Sequence, residues 1–328
     1  MQATTQTPNE SSHNHLSKPN KKLSALKAKQ ARRKYHGTSA PDPSLSISLD
    51  VFVSFTEFVK SSTRIFALIG AGVSVASGMP TFRGEDRLWR AHEPSDLADS
   101  DVFDKDPTKV WWFFSHRMMI AQNARPNKGH MTLARLAEGK EGFFAVNQNV
   151  DGLLERAGFP GKQMAKCHGS LFSVKCSNAT CGYVKDATYP VCPVLTLPTE
   201  VDISDPAVPL PTVERKDLPH CPECNHLLRP DVVLFGEAIP KPVLESIWNF
   251  QKQGPIDLML VVGTSCVVLP ASMYVQTARN SGARVAMFNI EESGEEIGHI
   301  QEGDWFLKGD AAVMVSEMLK GVVGQVRA

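Results

Sequence analysis

Four short apolar runs, each breaking into small polar residues, limit what this chain can fold into. RIFALIG (64–70), FFAVNQN (143–149), DLMLVVGTS (257–265) and RVAMFNI (284–290) are continuous apolar segments of strand length. Such runs mark strands buried on both faces of a parallel sheet. Segments with helical apolar spacing accompany them: VFVSFTEFVKSS before the first run and SMYVQTARNSG between the last two. The alternation predicts an α/β fold, a Rossmann-like doubly wound parallel sheet, whose ligands bind beyond the carboxyl ends of the strands. The Gly, Asn, Ser and Thr residues that end the runs are where a site is expected.

Two stretches interrupt this rhythm. Residues 84–128 contain VWWFFSHRMM, predicted helical, and residues 169–228 are rich in Pro and Cys with no periodic run. Both read as insertions into one sheet domain, formed by 45–168 and 229–328. Residues 1–44 form a polar tail in which Lys18, Lys21, Lys22, Lys27, Lys29, Arg32, Arg33 and Lys34 are almost unopposed by acids. The tail reads as disordered, either a plain solvated extension or a nuclear-localisation or nucleic-acid-anchoring segment, with a mitochondrial presequence as a third reading. Its clustered lysines favour nucleus or cytoplasm over mitochondrion. The whole chain balances 35 Lys+Arg against 35 Asp+Glu, so its core is not expected to bind nucleic acid electrostatically. No run approaches the roughly 18 apolar residues of a membrane span, and the first residues lack the order of a secretory signal. An intracellular protein without a membrane partner is expected.

The first run leads into Gly70-Ala71-Gly72-Val73-Ser74-Val75-Ala76-Ser77-Gly78. Glycines there let backbone approach a phosphate at a helix N-terminus, and they equally permit tight helix–strand packing. The usual dinucleotide fingerprint needs a third glycine where Val75 stands, and no acidic residue ends a second strand. A loop with an aromatic and a cation, Met79-Pro80-Thr81-Phe82-Arg83-Gly84, follows instead. Asn147-Gln148-Asn149-Val150-Asp151-Gly152 places amides and a carboxylate at a strand end, able to bind a ribose, a carboxamide or a water. His168, in Cys167-His168-Gly169-Ser170, offers an imidazole suited to proton transfer near neutral pH.

Cys176 and Cys181, then Cys221 and Cys224, form two short-spaced pairs in one insertion, the pattern of a four-thiolate zinc site. Four ligands close the coordination shell, so the ion would be structural. Cys167, Cys192 and Cys266 lie outside the pairs, and His220 and His226 flank the second pair as alternative ligands.

The ordered set GAGVSVASGMPTFRG, NQNVDGL, HGS, two cysteine pairs, RPDVVLFGE, VVGTS and FNIE closely resembles the sirtuins, over nearly everything from Asp50 onward. The wording from Thr81 to Arg117 is most similar to the class III desuccinylase and demalonylase type. The resemblance implies a Rossmann-like domain carrying a smaller module of zinc-binding and helical parts. NAD, as a consumed co-substrate, and acyl-lysine would enter the cleft between them. It further implies transfer of the acyl group from protein lysine to ADP-ribose, with histones among the substrates. By resemblance Gly70, Ala71, Gly72, Thr81, Phe82, Arg83, Gln148, Asn149 and Asp151 contact NAD. Gly263, Thr264, Ser265, Asn289, Glu291 and Ala311 hold its adenosine half. His168 is the general base, with Asn149 and Asp151 beside it. Phe235, Gly236, Glu237 and Val267 are implied to take the substrate backbone by strand addition.

One departure from the family stands out. The acidic-acyl class uses a tyrosine and an arginine three residues later, and here those positions read Phe114 and Arg117. Losing the phenol weakens a carboxylate contact by about 1.5–3 kcal/mol, which lets acetyl and crotonyl compete with succinyl. Ala98 stands where a small residue widens the pocket for longer acyl groups. The rival readings are an NAD-dependent oxidoreductase, a zinc-stabilised protein- or nucleic-acid-binding module with an inactive nucleotide fold, and NAD-cleaving ADP-ribosyl transfer. The oligomeric state is left open.

Overall fold

A computed structural model describes residues 41–82, 88–197, 202–267, 269–291 and 300–326. Most of the basic tail and Arg83 therefore lie outside the described residues. In chain order the first elements are α1 (Leu49–Ser61), β1 (Ile65–Ile69), α2 (Pro94–Leu97), α3 (Ser100–Lys105), α4 (Pro107–Asn123) and α5 (Lys128–Gly139). Then come β2 (Phe143–Asn147), α6 (Leu153–Arg156), β3 (Met164–Lys166), β4 (Gly169–Cys176), β5 (Val184–Asp186) and β6 (Leu228–Val232). The last are α7 (Lys241–Lys252), β7 (Leu258–Val262), α8 (Ala271–Asn280), β8 (Arg284–Asn289), β9 (Trp305–Lys308) and α9 (Ala311–Val323).

The four apolar runs become β1, β2, β7 and β8, neighbours in a parallel sheet of order β3-β2-β1-β7-β8-β9. The chain winds from β1 through β2 to β3 on one side, then restarts at β7 and winds the other way. The switch point thus lies between β1 and β7. The reason for the continuous apolar runs is visible in β1. Ile65, Ala67 and Ile69 pack with α1, α5 and α9, while Phe66 and Leu68 pack on the opposite face with α7 and α8. Both faces are covered, so no position can be polar.

Sequence analysis did not anticipate β3 or β9. Both are edge strands, of three and four residues, too short to show a period.

The two interruptions share one core of their own. Trp111, Phe113 and Phe114 of α4 pack with Leu171 and Val174 of β4, Leu195, Ile203, Leu218 and Leu228. The Trp111 indole N–H donates to Leu228 O at 3.1 Å, joining helix to strand. A second sheet, antiparallel and ordered β5-β4-β6, carries the cysteine segments. Helix α4 starts where the sequence dictates: Asp106 accepts from the Lys109 N–H, and Pro107 occupies the first turn, where no donor is needed.

Candidate active site

Beyond the ends of β1 and β2 a buried polar network converges on Ser74. Its hydroxyl donates to Asp151 Oδ2 at 2.7 Å, accepts from Asn149 Nδ2 at 3.3 Å and lies 3.2 Å from His130 Nε2. The His130 tautomer follows from its other nitrogen. Nδ1 accepts the Asn127 N–H at 3.2 Å, so in the neutral ring Nε2 bears the proton and donates to Ser74. Asn149 Nδ2 also reaches Gly70 O at 3.0 Å, and Asp151 Oδ1 takes the Leu153 N–H at 2.9 Å. Burial, then the Arg156 cation, push the His130 pKa down to about 4, keeping the ring neutral. Burial raises the Asp151 pKa against the pull of its Leu153 and Ser74 hydrogen bonds. Sequence reading found Asn149 and Asp151 but missed Ser74 and His130. The available signal was His130 on the apolar stripe of α5, in phase with the buried Leu133, Ala134 and Ala137.

His168 sits where β2 meets the second sheet. Its Nδ1 is 2.9 Å from Gln148 O, and its own carbonyl accepts from Val233 N–H at 2.9 Å. A carbonyl can only accept, so Nδ1 carries the proton and Nε2 is the basic atom. Burial lowers the pKa of His168, opposed by the Gln148 hydrogen bond, which favours a neutral ring able to accept a proton. Gly169 next to it has φ +81°, and a Cβ there would lie 2.1 Å from Asp231 O, so this position must be glycine for β4 to close on β6.

The glycine turn is held by backbone. A Cβ on Gly70 would approach Thr264 Cβ to 2.5 Å, and one on Gly72 would approach Gly263 Cα to 2.7 Å. The Gly70 and Gly72 N–H groups donate to Val262 O and Gly263 O, at 2.9 and 2.8 Å. The packing reading of these glycines therefore holds, and their two N–H groups are committed to the end of β7. Ala71 lies between them at the head of a 3-10 helix, Ala71–Ser77. On the far side, the Thr264 Oγ1 accepts from Cys266 N–H at 3.2 Å, and Asn289 Nδ2 donates to Thr264 O at 3.2 Å. Ser265 and Glu291 are exposed, while Ala311 is buried at the start of α9. Among the described residues, Asn147 Nδ2 and Gln148 Oε1 are buried here without partners. An unpaired donor and an unpaired acceptor at the strand ends fit a polar co-substrate such as a dinucleotide.

Ala98, Phe114 and Arg117 are all buried in the small core. The Arg117 guanidinium donates to Pro80 O and Thr81 O, each at 3.1 Å, and lies between the Phe82 and Phe113 rings, 4.2 and 5.0 Å from their centroids. Burial lowers its pKa to about 10, and among the described residues it has no carboxylate partner. The residues assigned to substrate divide. Phe235 and Val267 are exposed, yet Phe235 N–H donates to Ala98 O at 2.7 Å and Phe235 O accepts from Ser100 N–H at 3.1 Å. The Phe235 backbone is thus already paired, whereas the neighbouring Gly236 is exposed. The Glu237 carboxylate is turned inward, bidentate to Arg229 and accepting Leu234 N–H at 2.9 Å, so its side chain braces the strand.

The Sγ atoms of Cys176, Cys181, Cys221 and Cys224 all lie within 4.8 Å of one another. Two of the separations are 3.4 and 3.6 Å. A tetrahedron with Zn–S bonds of about 2.3 Å has edges of roughly 3.8 Å, so the four thiols fit a zinc ion. His220 and His226 instead turn Nδ1 to backbone carbonyls, of Leu218 and Cys224.

The Sir2 family pattern matches residues 70–270. An NAD-dependent protein deacylase of Candida albicans is 38% identical, covering 83% of this chain and 98% of that protein. The mitochondrial NAD-dependent protein deacylase sirtuin-5 of Danio rerio is 37% identical, covering 73% of this chain and 77% of its own length. A Sir2 homologue crystallised as an NAD complex superposes with TM-score 0.66 at 31% identity, over 88% of this chain and 97% of the other. The glycine turn, the strand-end amides, His168 and the thiol cluster all lie within the matched residues, and the chain belongs to the Sir2 family, the sirtuins.

Proposed function

We propose that this chain is an NAD-dependent protein-lysine deacylase that moves the acyl group to ADP-ribose and releases nicotinamide, with His168 as general base. The observation that carries the reading is the bond from His168 Nδ1–H to Gln148 O, which fixes Nε2 as the basic nitrogen at the strand ends. NAD, when bound, supplies a glycosidic bond that the acyl oxygen can displace. His168 takes a proton at Nε2 from a ribose hydroxyl. Asn149 and Asp151, pinned through Ser74, orient the nicotinamide side without reorganising. Ala71, Gly70, Gly72, Thr81, Phe82, Arg83 and Gln148 would line the phosphate and ribose path. Gly263, Thr264, Ser265, Asn289, Glu291 and Ala311 would hold the adenosine end. The zinc ion, bound by all four cysteines, would brace the small body and take no part in the chemistry.

The proposed division is a large Rossmann-like domain of 45–168 and 229–328, carrying a helical insertion at about 84–128, and a zinc-binding module of 169–228. Acetyl and crotonyl groups are the favoured acyl classes. A succinyl carboxylate must draw Arg117 from two backbone carbonyls and lacks a phenol at Phe114. Histones are candidate substrates, with the nucleus or cytoplasm as the compartment suggested by the clustered lysines. The mitochondrial naming of the fish relative keeps that third compartment open. The test is nicotinamide release from NAD with matched acetyl-, crotonyl- and succinyl-lysine peptides, alongside His168→Ala. Release that needs an acyl peptide and vanishes in the variant is the expected result. No release with any peptide would overturn the reading and favour a zinc-stabilised binding module.

A further inference from the structure

Behind His168 runs a narrow crevice whose walls include Leu68, Gln148, Cys167 and Tyr274, with no room for a water molecule. Two of its polar groups are buried and have no partner among the described residues: the Tyr274 hydroxyl, a donor, and Gln148 Oε1, an acceptor. Tyr274 comes from α8 and is 5% exposed, its ring edge-on to Phe66 with centroids 6.1 Å apart. A phenylalanine would fill that apolar seat equally well without burying an unsatisfied hydroxyl. Gln148 is the residue whose main-chain carbonyl holds His168 Nδ1–H. The donor and the acceptor thus share one dry crevice with the residue that sets the imidazole.

We infer that Tyr274 is a positioning residue, whose hydroxyl donates to the Gln148 side-chain carbonyl when NAD seats and so fixes the peptide that orients His168. This rests on the deacylase reading for its role in turnover, but not for its effect on NAD binding. The bond has complementary partners and no water to compete with it.

The test is Tyr274→Phe, measured by calorimetric NAD titration, thermal unfolding and the pH profile of kcat/KM for NAD. The lost bond should weaken NAD about three- to tenfold. It should also move the acidic limb of the profile while leaving the melting temperature unchanged or higher, because the hydroxyl has no partner to lose in the free protein. In a Gln148→Ala background the same substitution should have no effect on NAD affinity. Wild-type NAD affinity and pH profile in Tyr274→Phe would overturn the inference, as would a loss that persists in the Gln148→Ala background. If no acyl peptide elicits nicotinamide release from the unaltered protein, the deacylase reading fails separately, and the NAD titrations still decide the role of Tyr274.

Discussion

Removing one oxygen atom, in Ser74→Ala, should damage this protein more than most core truncations. The Ser74 hydroxyl serves three buried groups at once: it donates to Asp151 and accepts from Asn149 and His130. Asn149 keeps its bond to Gly70 O, but Asp151 Oδ2 and His130 Nε2–H would face an apolar methyl. A lost bond to a carboxylate is worth about 1.5–3 kcal/mol, and an orphaned neutral donor about 1–3 kcal/mol. The combined cost is therefore about 2.5–6 kcal/mol, against the roughly 5–15 kcal/mol that typically stabilises a whole domain. Because the Ser74 bond also pulls the Asp151 pKa down, its removal should raise that pKa further and shift the acidic limb of NAD binding upward. Urea unfolding followed by tryptophan fluorescence reads the stability, and NAD titration from pH 5 to 8 reads the second effect. Ser173→Ala is a matched control, since that hydroxyl makes one partly exposed bond, to Asp231 at 3.1 Å, worth roughly 1 kcal/mol. If Ser74→Ala costs no more than the control and leaves the pH dependence in place, the network is not the scaffold of the site.

Three further outcomes follow from the same geometry. His130 has a folded pKa near 4, against about 6.5 unfolded, so the unfolded chain binds more protons between those values. Its contribution is flat above pH 6.5 and falls below it, by about 2 kcal/mol at pH 5, partly offset by Asp151, whose raised pKa acts in the opposite sense. Unfolding curves at pH 7 and 5 for the wild type and His130→Asn should show this slope flattened in the variant. Zinc stripping by a chelator should first melt the small body, seen as a change in the emission of Trp111 and Trp112, which share its core. NAD-site variants such as His168→Ala should not show that change. Phe114→Tyr, placing a phenol three residues before Arg117, should raise the succinyl-to-acetyl ratio of kcat/KM roughly ten- to a hundredfold. An unchanged ratio would remove residue 114 from acyl selection.

The sheet was legible where burial is two-sided. Continuous apolar runs at β1, β2, β7 and β8 leave no other reading, whereas β3 ends in an exposed Lys166 and β9 in an exposed Lys308 at opposite edges. The strand-end amides and His168 could be located because the fold dictates where such residues point. Ser74 and His130 could not be paired from sequence, since 56 residues separate them and only the packing of α5 against the glycine turn brings them together. The glycines show a different gap. Their type was read correctly, but what fills the space above Gly70 and Gly72 is the end of β7, a contact invisible without the strand order. Arg117 likewise could be named from its spacing, while its engagement with the Pro80 and Thr81 carbonyls depends on the loop conformation.

The placement of β7 beside β1 also bears on how the chain is made. Ile65 pairs with Leu258, so the central seam of the sheet joins segments far apart along the chain. A ribosome must deliver the chain through β7 before β1 gains its second neighbour and the glycine turn can pack on Gly263 and Thr264. Until then β1 and β2 expose an apolar edge that can pair with other nascent chains. C-terminal truncations ending before 262 should accumulate as aggregates, with no folded half-domain.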